Sequence, residues 1–451
     1  MKRVLSIFTL LVITLPACCA KLPRIVWNER CQDTLEPGKI QEGVPAWDAV
    51  RVDYKRDGNT ILEIDMPEAV AVAVADREWG WGYFQFPSLG LDEKGALSIA
   101  WSMAEDSNDP DKKRSNIPAY LISTDKGKTW HETTERIHSA GAYSLRFPNG
   151  DIISATDRSV RLKGLDLPTP VERLESGLEG SITYYRETEL PDTLRGAYFT
   201  LWHRDTGNTE FIHAPLNDPG LVRYAHAGFF PVLWRGNIRR DKDGTIYAIP
   251  YPTFYETPEH KVTQAMSGTC YKSSDGGRSW SAQGVIPYTW NPVLQPRGAT
   301  KRHYGFSEHS FDILPDGSFY CVIRSDGPMY WTRSSDKGKT WTEPKCFTPY
   351  GVRPTVFMLG NGALVLVSGR PGNQIRISVD NGNTWTDPIE LTHFGEYKEW
   401  KQITRDSCGN PSIQVCAKNS FYIAYSDFRY PSTDGNMRKA IKVRKITIKK
   451  K

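Results

Sequence analysis

The sequence predicts an all-β protein, a six-bladed β-propeller. Three observations point there: an eight-residue turn written four times, a second series of turn-then-strand units between its copies, and a near absence of long helical patterns. Repeats of about forty residues or more, each one small antiparallel sheet, are the signature of blades.

The repeated turn reads S-x-D-x-G-x-x-W. It appears as STDKGKTW (123–130), SSDGGRSW (273–280), SSDKGKTW (334–341) and SVDNGNTW (378–385). Each position has a local task. The Asp (Asp125, Asp275, Asp336, Asp380) is expected to accept from backbone N–H groups two residues on and close the turn. Gly supplies a positive φ, and Ser adds a second local bond. The Trp (Trp130, Trp280, Trp341, Trp385) opens the next strand and buries its ring. A fifth copy, HRDTGNTE (203–210), keeps Asp205 and Gly207 but has no tryptophan. The interleaved series is LDEKGALSIAW (91–101), FPNGDIISA (147–155), DKDGTIYAI (241–249), LPDGSFYCVI (314–323), LGNGALVLV (359–367) and AKNSFYIAY (417–425). Their NG, DG and related turns before apolar strands are hairpin signals. That makes six units, with insertions around 157–240.

The 451 residues carry a net charge of +5 and no Lys/Arg run longer than three residues, which excludes a nucleic-acid footprint; the final KKK is a solvated tail. The first twenty residues, MKRVLSIFTLLVITLPACCA, are an export leader with a charged start and an apolar stretch too short to span a bilayer comfortably. Two readings stay open: LPAC resembles a lipoprotein signal, with lipid attached at Cys18, or cleavage falls near Ala20. Residues 21–451 then form one domain with an N-terminal extension to about 70, periplasmic, outer-membrane-anchored or secreted. No later segment is apolar enough to cross a membrane. Six further cysteines are scattered from Cys31 to Cys416 and form no disulfide framework. Neither CxxC nor HExxH occurs, so no metal and no cofactor are expected.

The four turns resemble the Asp-box, or BNR repeat, of the sialidase superfamily, over roughly residues 77–430. The resemblance implies a six-bladed propeller with the boxes on the outer rim and the site at one end of the central axis. It also implies three arginines on a carboxylate, a tyrosine nucleophile served by a glutamate, and an aspartate acid/base. In SEHSFDILPDGSFYCVIRSDG, Glu308 and Arg324 match the family's glutamate and second arginine. In GRPGNQIRISVDNGNTW, Arg370 matches the third. The loop EDSNDPDKKRSNIPAYLISTDKGKTW matches the acid/base loop, with Asp111 the choice there and Asp109 the runner-up. A glutamate among arginines should have a lowered pKa, which suits a charge anchor.

Two positions depart from the family. Gln85 in WGYFQFPSLG stands where the first arginine belongs, and Asn410 in SCGNPSIQV where the tyrosine belongs. Tyr425, in AYSDF, comes at the far end of the following strand; Tyr397 and Tyr304 are other candidates. Trp79, Trp81 and Tyr83 beside Gln85 form either one buried face or a sugar-stacking platform. His303, His309 and His226 are candidate bases.

The reading is an exported exo-glycoside hydrolase acting on a terminal, acidic sugar of a glycan. Asp111 and Glu308 are its catalytic carboxylates, and Gln85, Arg324, Arg370 and Asn410 its substrate-binding residues. Two alternatives remain: a catalytically inactive carbohydrate-binding propeller, and a polysaccharide lyase on uronate-containing glycans.

Overall fold

The structure is a computed structural model. It describes residues 24–28, 43–47, 51–56, 59–77, 80–106, 120–134, 137–176, 180–263, 265–295, 305–392 and 406–451. The leader with Cys18, and Trp79, Asp109, Asp111, His303, Tyr304 and Tyr397, lie outside the described residues. The fold is all-β with almost no helix. Among the described residues the helical elements are two three-residue 3-10 turns, Glu187–Glu189 and Asp192–Leu194. No helix among them is long and apolar enough to cross a membrane.

Six sheets follow one another along the chain as antiparallel meanders. The first runs Gln85–Leu91, Leu97–Ser102, Tyr120–Ser123, His131–Glu132. The second is Ser144–Arg146, Ile152–Ala155, Ala197–Trp202, Thr209–Ala214. The third is Ile238–Arg240, Ile246–Ala248, Gly268–Ser273, Trp280–Ile286. The fourth is Ser307–Ile313, Phe319–Arg324, Met329–Ser334, Lys345–Thr348. The fifth is Val352–Met358, Leu364–Gly369, Asn373–Ser378, Ile389–Glu390. The sixth holds Ser412–Ala417, Ser420–Pro431 and Met437–Lys450. The N-terminal strands Val70–Val74 and Asn59–Asp65 complete the sixth sheet by pairing with Met437–Lys450. A seventh, separate sheet is built from the insertion, Arg158–Arg161 through Phe229–Val232, with Phe254–Tyr255 at its edge.

The repeated turns join the third and fourth strands of the first, third, fourth and fifth sheets, and they fold alike. At Ser334, the hydroxyl accepts from Gly338 N (2.8 Å) and donates to Asp336 Oδ1 (2.8 Å), while Asp336 Oδ1 accepts from Thr340 N (2.9 Å). The Thr340 hydroxyl, donating to Asp336 Oδ2 (2.6 Å), then the Thr340 N–H and the Ser334 hydroxyl, hold the Asp336 carboxyl down at about 2. Trp130, Trp280 and Trp341 each donate through Nε1 to the glycine carbonyl three residues back, whereas Trp385 donates to the Tyr320 hydroxyl. Trp280 and Trp385 are fully buried in the cores between neighbouring sheets.

The first strands of neighbouring sheets touch. Asn237 exchanges hydrogen bonds with Phe311, Ser310 Oγ accepts from Val356 N, and Ser412 Oγ accepts from Leu89 N. Side-by-side first strands bring their starting ends together, and this positions the site.

Candidate active site

At or just before its first strand, each of the six sheets contributes to one cavity of about 660 Å³. Phe86 comes from the first, Tyr143 from the second, Arg235 from the third, Glu308 from the fourth, Arg353 from the fifth and Asn410 from the sixth. Arg324 and Arg370, each at or just past the end of a second strand, join them, with Asp106, Asp157 and Tyr251.

A shared backbone irregularity aims three of these side chains. Pairing steps from Gln85↔Ser102 to Ser88↔Ala100, from Ser307↔Arg324 to Ser310↔Val322, and from Val352↔Gly369 to Thr355↔Val367. Each first strand thus holds one extra residue, a β-bulge that re-aims a side chain. The second residue of each takes a positive φ: Phe86 (53°), Glu308 (48°) and Arg353 (50°). For non-glycine residues this costs about 1–3 kcal/mol apiece, strain of the kind that gathers at functional sites.

Glu308 is the hub. Its Oε1 accepts from Arg324 Nη1 at 2.8 Å and its Oε2 from Arg353 N at 2.7 Å. Burial alone would raise its pKa; the charges of Arg324, Arg353 and Arg370 and the Arg353 N–H outweigh burial and lower it. Arg370 also takes a positive φ (54°), lies 5.2 Å over the Trp81 ring, and donates through Nε to Cys408 O (3.3 Å). Burial and the nearby Arg324 cation push its pKa down to about 10. A Cβ on Gly369 would stand 2.0 Å from Gly409 Cα, so this close backbone approach is what sets Arg370 beside Asn410. The Arg353 guanidinium donates to the Tyr143 hydroxyl and covers its ring (4.6 Å), and Arg235 pairs with Asp157 (2.7 Å). Burial, then Tyr143 and Glu308, push the Tyr251 hydroxyl well up.

Of the residues named from sequence, Glu308, Arg324, Arg370 and Asn410 come together in this cavity. Gln85 does not line it: the bulge turns Phe86 inward and leaves Gln85 fully buried, its amide atoms without a hydrogen-bond partner among the described residues. Asp111 lies outside the described residues. Tyr425 is buried in the core of the last sheets, and His226 lines a different cavity on the insertion sheet. His309 is buried, its pKa pushed down to about 3 by burial. Arg353, Arg235, Tyr143, Tyr251, Asp106 and Asp157 were not found from sequence. VRPT (352–355) does echo QFPS (85–88), with Pro after the bulge residue; the tyrosines sit in irregular connections with no repeat to mark them. Cys270, Cys321, Cys346, Cys408 and Cys416 are free thiols. No group of His, Cys, Asp and Glu among the described residues is arranged to hold a metal.

No protein-family model matches the chain, and no curated protein matches it either. Solved structures do. A Dyadobacter fermentans protein of unknown function superposes with a TM-score of 0.55 at 18% identity, over 86% of this chain and 99% of that one. A Penicillium chrysogenum alpha-L-arabinanase complexed with arabinobiose gives 0.48 at 14% identity, over 84% and 98%. A Trypanosoma rangeli sialidase gives 0.39 at 11% identity, over 91% of this chain and 58% of that one.

Proposed function

We propose that this chain is a six-bladed propeller and an exported glycoside hydrolase of sialidase-like design, acting on an acidic sugar at the end of a glycan. The observation that carries the reading is the charge of the cavity. Among the described residues four arginines (Arg235, Arg324, Arg353, Arg370) face three carboxylates (Asp106, Asp157, Glu308), one cation in excess in a space sized for a small ligand. Arg324 and Arg370 repel each other, and an incoming carboxylate would relieve that repulsion. Arginine forks also match a carboxylate in geometry.

In this reading Arg324 and Arg370 hold the sugar's carboxylate and Asn410 a hydroxyl. Glu308, with both oxygens engaged, fixes the arginines. The acid that protonates the leaving group comes from the connection after Leu97–Ser102, where Asp106 lines the cavity and Asp111 follows. The sequence resemblance to sialidases supports the reaction class. One observation favours a second reading, β-elimination from a uronate. Arg353 on the Tyr143 hydroxyl puts a cation where charge would develop if that tyrosine moved a proton.

Incubating the purified protein with acidic oligosaccharides, with mass-spectrometric detection, tests both. Hydrolysis adds one water to the products. Elimination adds none and gives an unsaturated uronate that absorbs in the ultraviolet. Binding with no product would identify a carbohydrate-binding propeller instead.

A further inference from the structure

A second chamber of about 320 Å³ adjoins the first and is lined by Gly80, Trp81, Tyr83, Ala104, Glu105 and Asp106. Asp106 lines both chambers, and Trp81, which lines the second, packs against Arg370 and Phe86 of the first. The Arg370 guanidinium from the first chamber lies over the Trp81 ring, and Phe86 meets it edge-on (6.4 Å). The wall is built, not incidental. Trp81 Nε1 donates to Asp106 Oδ2 (3.2 Å), and Asp106 N donates back to Trp81 O (3.1 Å). Gly82, at φ +106°, lets the two segments close up: a Cβ there would lie 2.3 Å from Ala104 O and Asp106 N. Trp81 nonetheless stays 37% exposed, unusual for so large an apolar ring held this firmly.

We infer that this second chamber binds the neighbouring sugar unit of the glycan, stacked on Trp81, and that this unit is neutral or amino-bearing. The inference rests on the acidic-sugar reading of the first chamber. The two chambers have opposite character. Arginines dominate the first, while Glu105 and Asp106 are the only charged groups among the described residues of the second. A carboxylate there would face two like charges. An aromatic ring instead offers an apolar platform to the C–H face of a pyranose. The group common to both chambers, Asp106, marks where the bond joining the two units would pass.

The test uses full-length protein and calorimetric titration. Sialyllactose and an aldobiouronic acid probe both chambers with an acidic–neutral pair, digalacturonic acid probes them with an acidic–acidic pair, and the free acids (N-acetylneuraminic, glucuronic, galacturonic) probe the first chamber alone. We expect at least one acidic–neutral probe to bind about tenfold or more tighter than its own free acid, and digalacturonic acid to gain nothing over galacturonic acid. Trp81→Ala should erase the gain, weakening the disaccharide several-fold more than the free acid; Trp81→Phe, which keeps a ring face, should retain most of it. Glu105→Lys should give digalacturonic acid a gain it lacks in the wild type. Free acids that bind while no acidic–neutral probe gains would overturn the second chamber and leave the first intact. An equal loss of free acid and disaccharide in both Trp81 variants would also overturn it, since Trp81 would then serve only Arg370. Absence of binding by every acidic probe would overturn the reading of the first chamber and this inference with it.

Discussion

Arg324 and Glu308 meet across the bulge of a single hairpin, Arg324 Nη1 donating to Glu308 Oε1 at 2.8 Å, while Arg353 N occupies Oε2 at 2.7 Å. The pairing Ser307↔Arg324 fixes the hairpin register, and the positive φ at Glu308 turns its carboxylate toward the arginine. A carboxylate with both oxygens taken and little exposure is a poor base and a good anchor. Its consequences can be measured.

Replacing Glu308 by Gln keeps the shape but leaves Arg324, Arg353 and Arg370 without their shared counter-charge. A loss of about 3 kcal/mol is expected, as for a buried pair broken on one side. The pH dependence has a definite sign. Because the folded pKa is lowered, the charge contributes fully above the unfolded value of about 4.3 and is lost as pH falls through the folded value. The stability gap between wild type and Glu308→Gln in urea melts should therefore be full above the unfolded value of about 4.3 and close only as pH falls through the lower folded value. A gap that stays constant into stronger acid would contradict this.

Arg370 carries the opposite strain. It is largely buried and beside another cation. Arg370→Met keeps much of the stem over Trp81 and removes the charge. The unliganded variant should be more stable, by up to about 2 kcal/mol, while losing stabilisation by acidic sugars. Thermal melts with and without ligand would show it; a variant less stable than wild type when unliganded would show that Arg370 is structural.

The all-β class was legible because the turns are local: Ser, Asp and Gly complete their hydrogen bonds within eight residues, and so do three of the four tryptophans, Trp385 reaching Tyr320 instead. Glu308 and Arg324 were legible for a related reason, since one hairpin holds both. Gln85 was placed by motif position alone. The bulge that rotates Phe86 inward in its stead depends on pairing register, which no residue type announces. Arg353 sits in the equivalent bulge of the fifth sheet. It could have been found by comparing strand starts across repeats instead of comparing each with a family motif. Tyr143 and Tyr251 reach the cavity from connections whose course is set by the insertion sheet and by packing.

The turn in the fourth sheet should matter for stability and not for ligand binding. Gly338 has φ +84°, and a Cβ there would stand 2.4 Å from the buried Cys270 Sγ. Gly338→Ala should cost about 2 kcal/mol or more. Ser334→Ala, which strands the Gly338 N–H, should cost about 1–3 kcal/mol. Affinity per folded molecule should be unchanged in both; a specific loss of affinity would place the turn in the site.

Arg444 ties the N-terminal segment to the last sheet. Fully buried, it donates to the carbonyls of Ala46 (2.7 Å), Met66 (2.6 Å) and Pro67 (2.6 Å). Arg444→Met should cost about 2–3 kcal/mol, because the carbonyls of the buried Ala46 and Met66 lose their donor, and so does that of the exposed Pro67. Hydrogen exchange should rise first along Asn59–Val74, which pairs with Met437–Lys450. Uniform acceleration over all sheets would argue that the segment is not a separate strap.

The central claim is that the cavity is built to hold an anionic sugar. The most direct test is calorimetric affinity for an acidic sugar and for its neutral counterpart, glucuronic acid against glucose and N-acetylneuraminic acid against its methyl ester, with wild type and Arg324→Ala. The account predicts that wild type binds at least one acid far more tightly than its neutral partner. It also predicts that Arg324→Ala removes about 2–5 kcal/mol of that preference while leaving neutral binding nearly unchanged. Equal affinity of wild type for acid and neutral sugar, or a preference that survives the loss of Arg324, would contradict it.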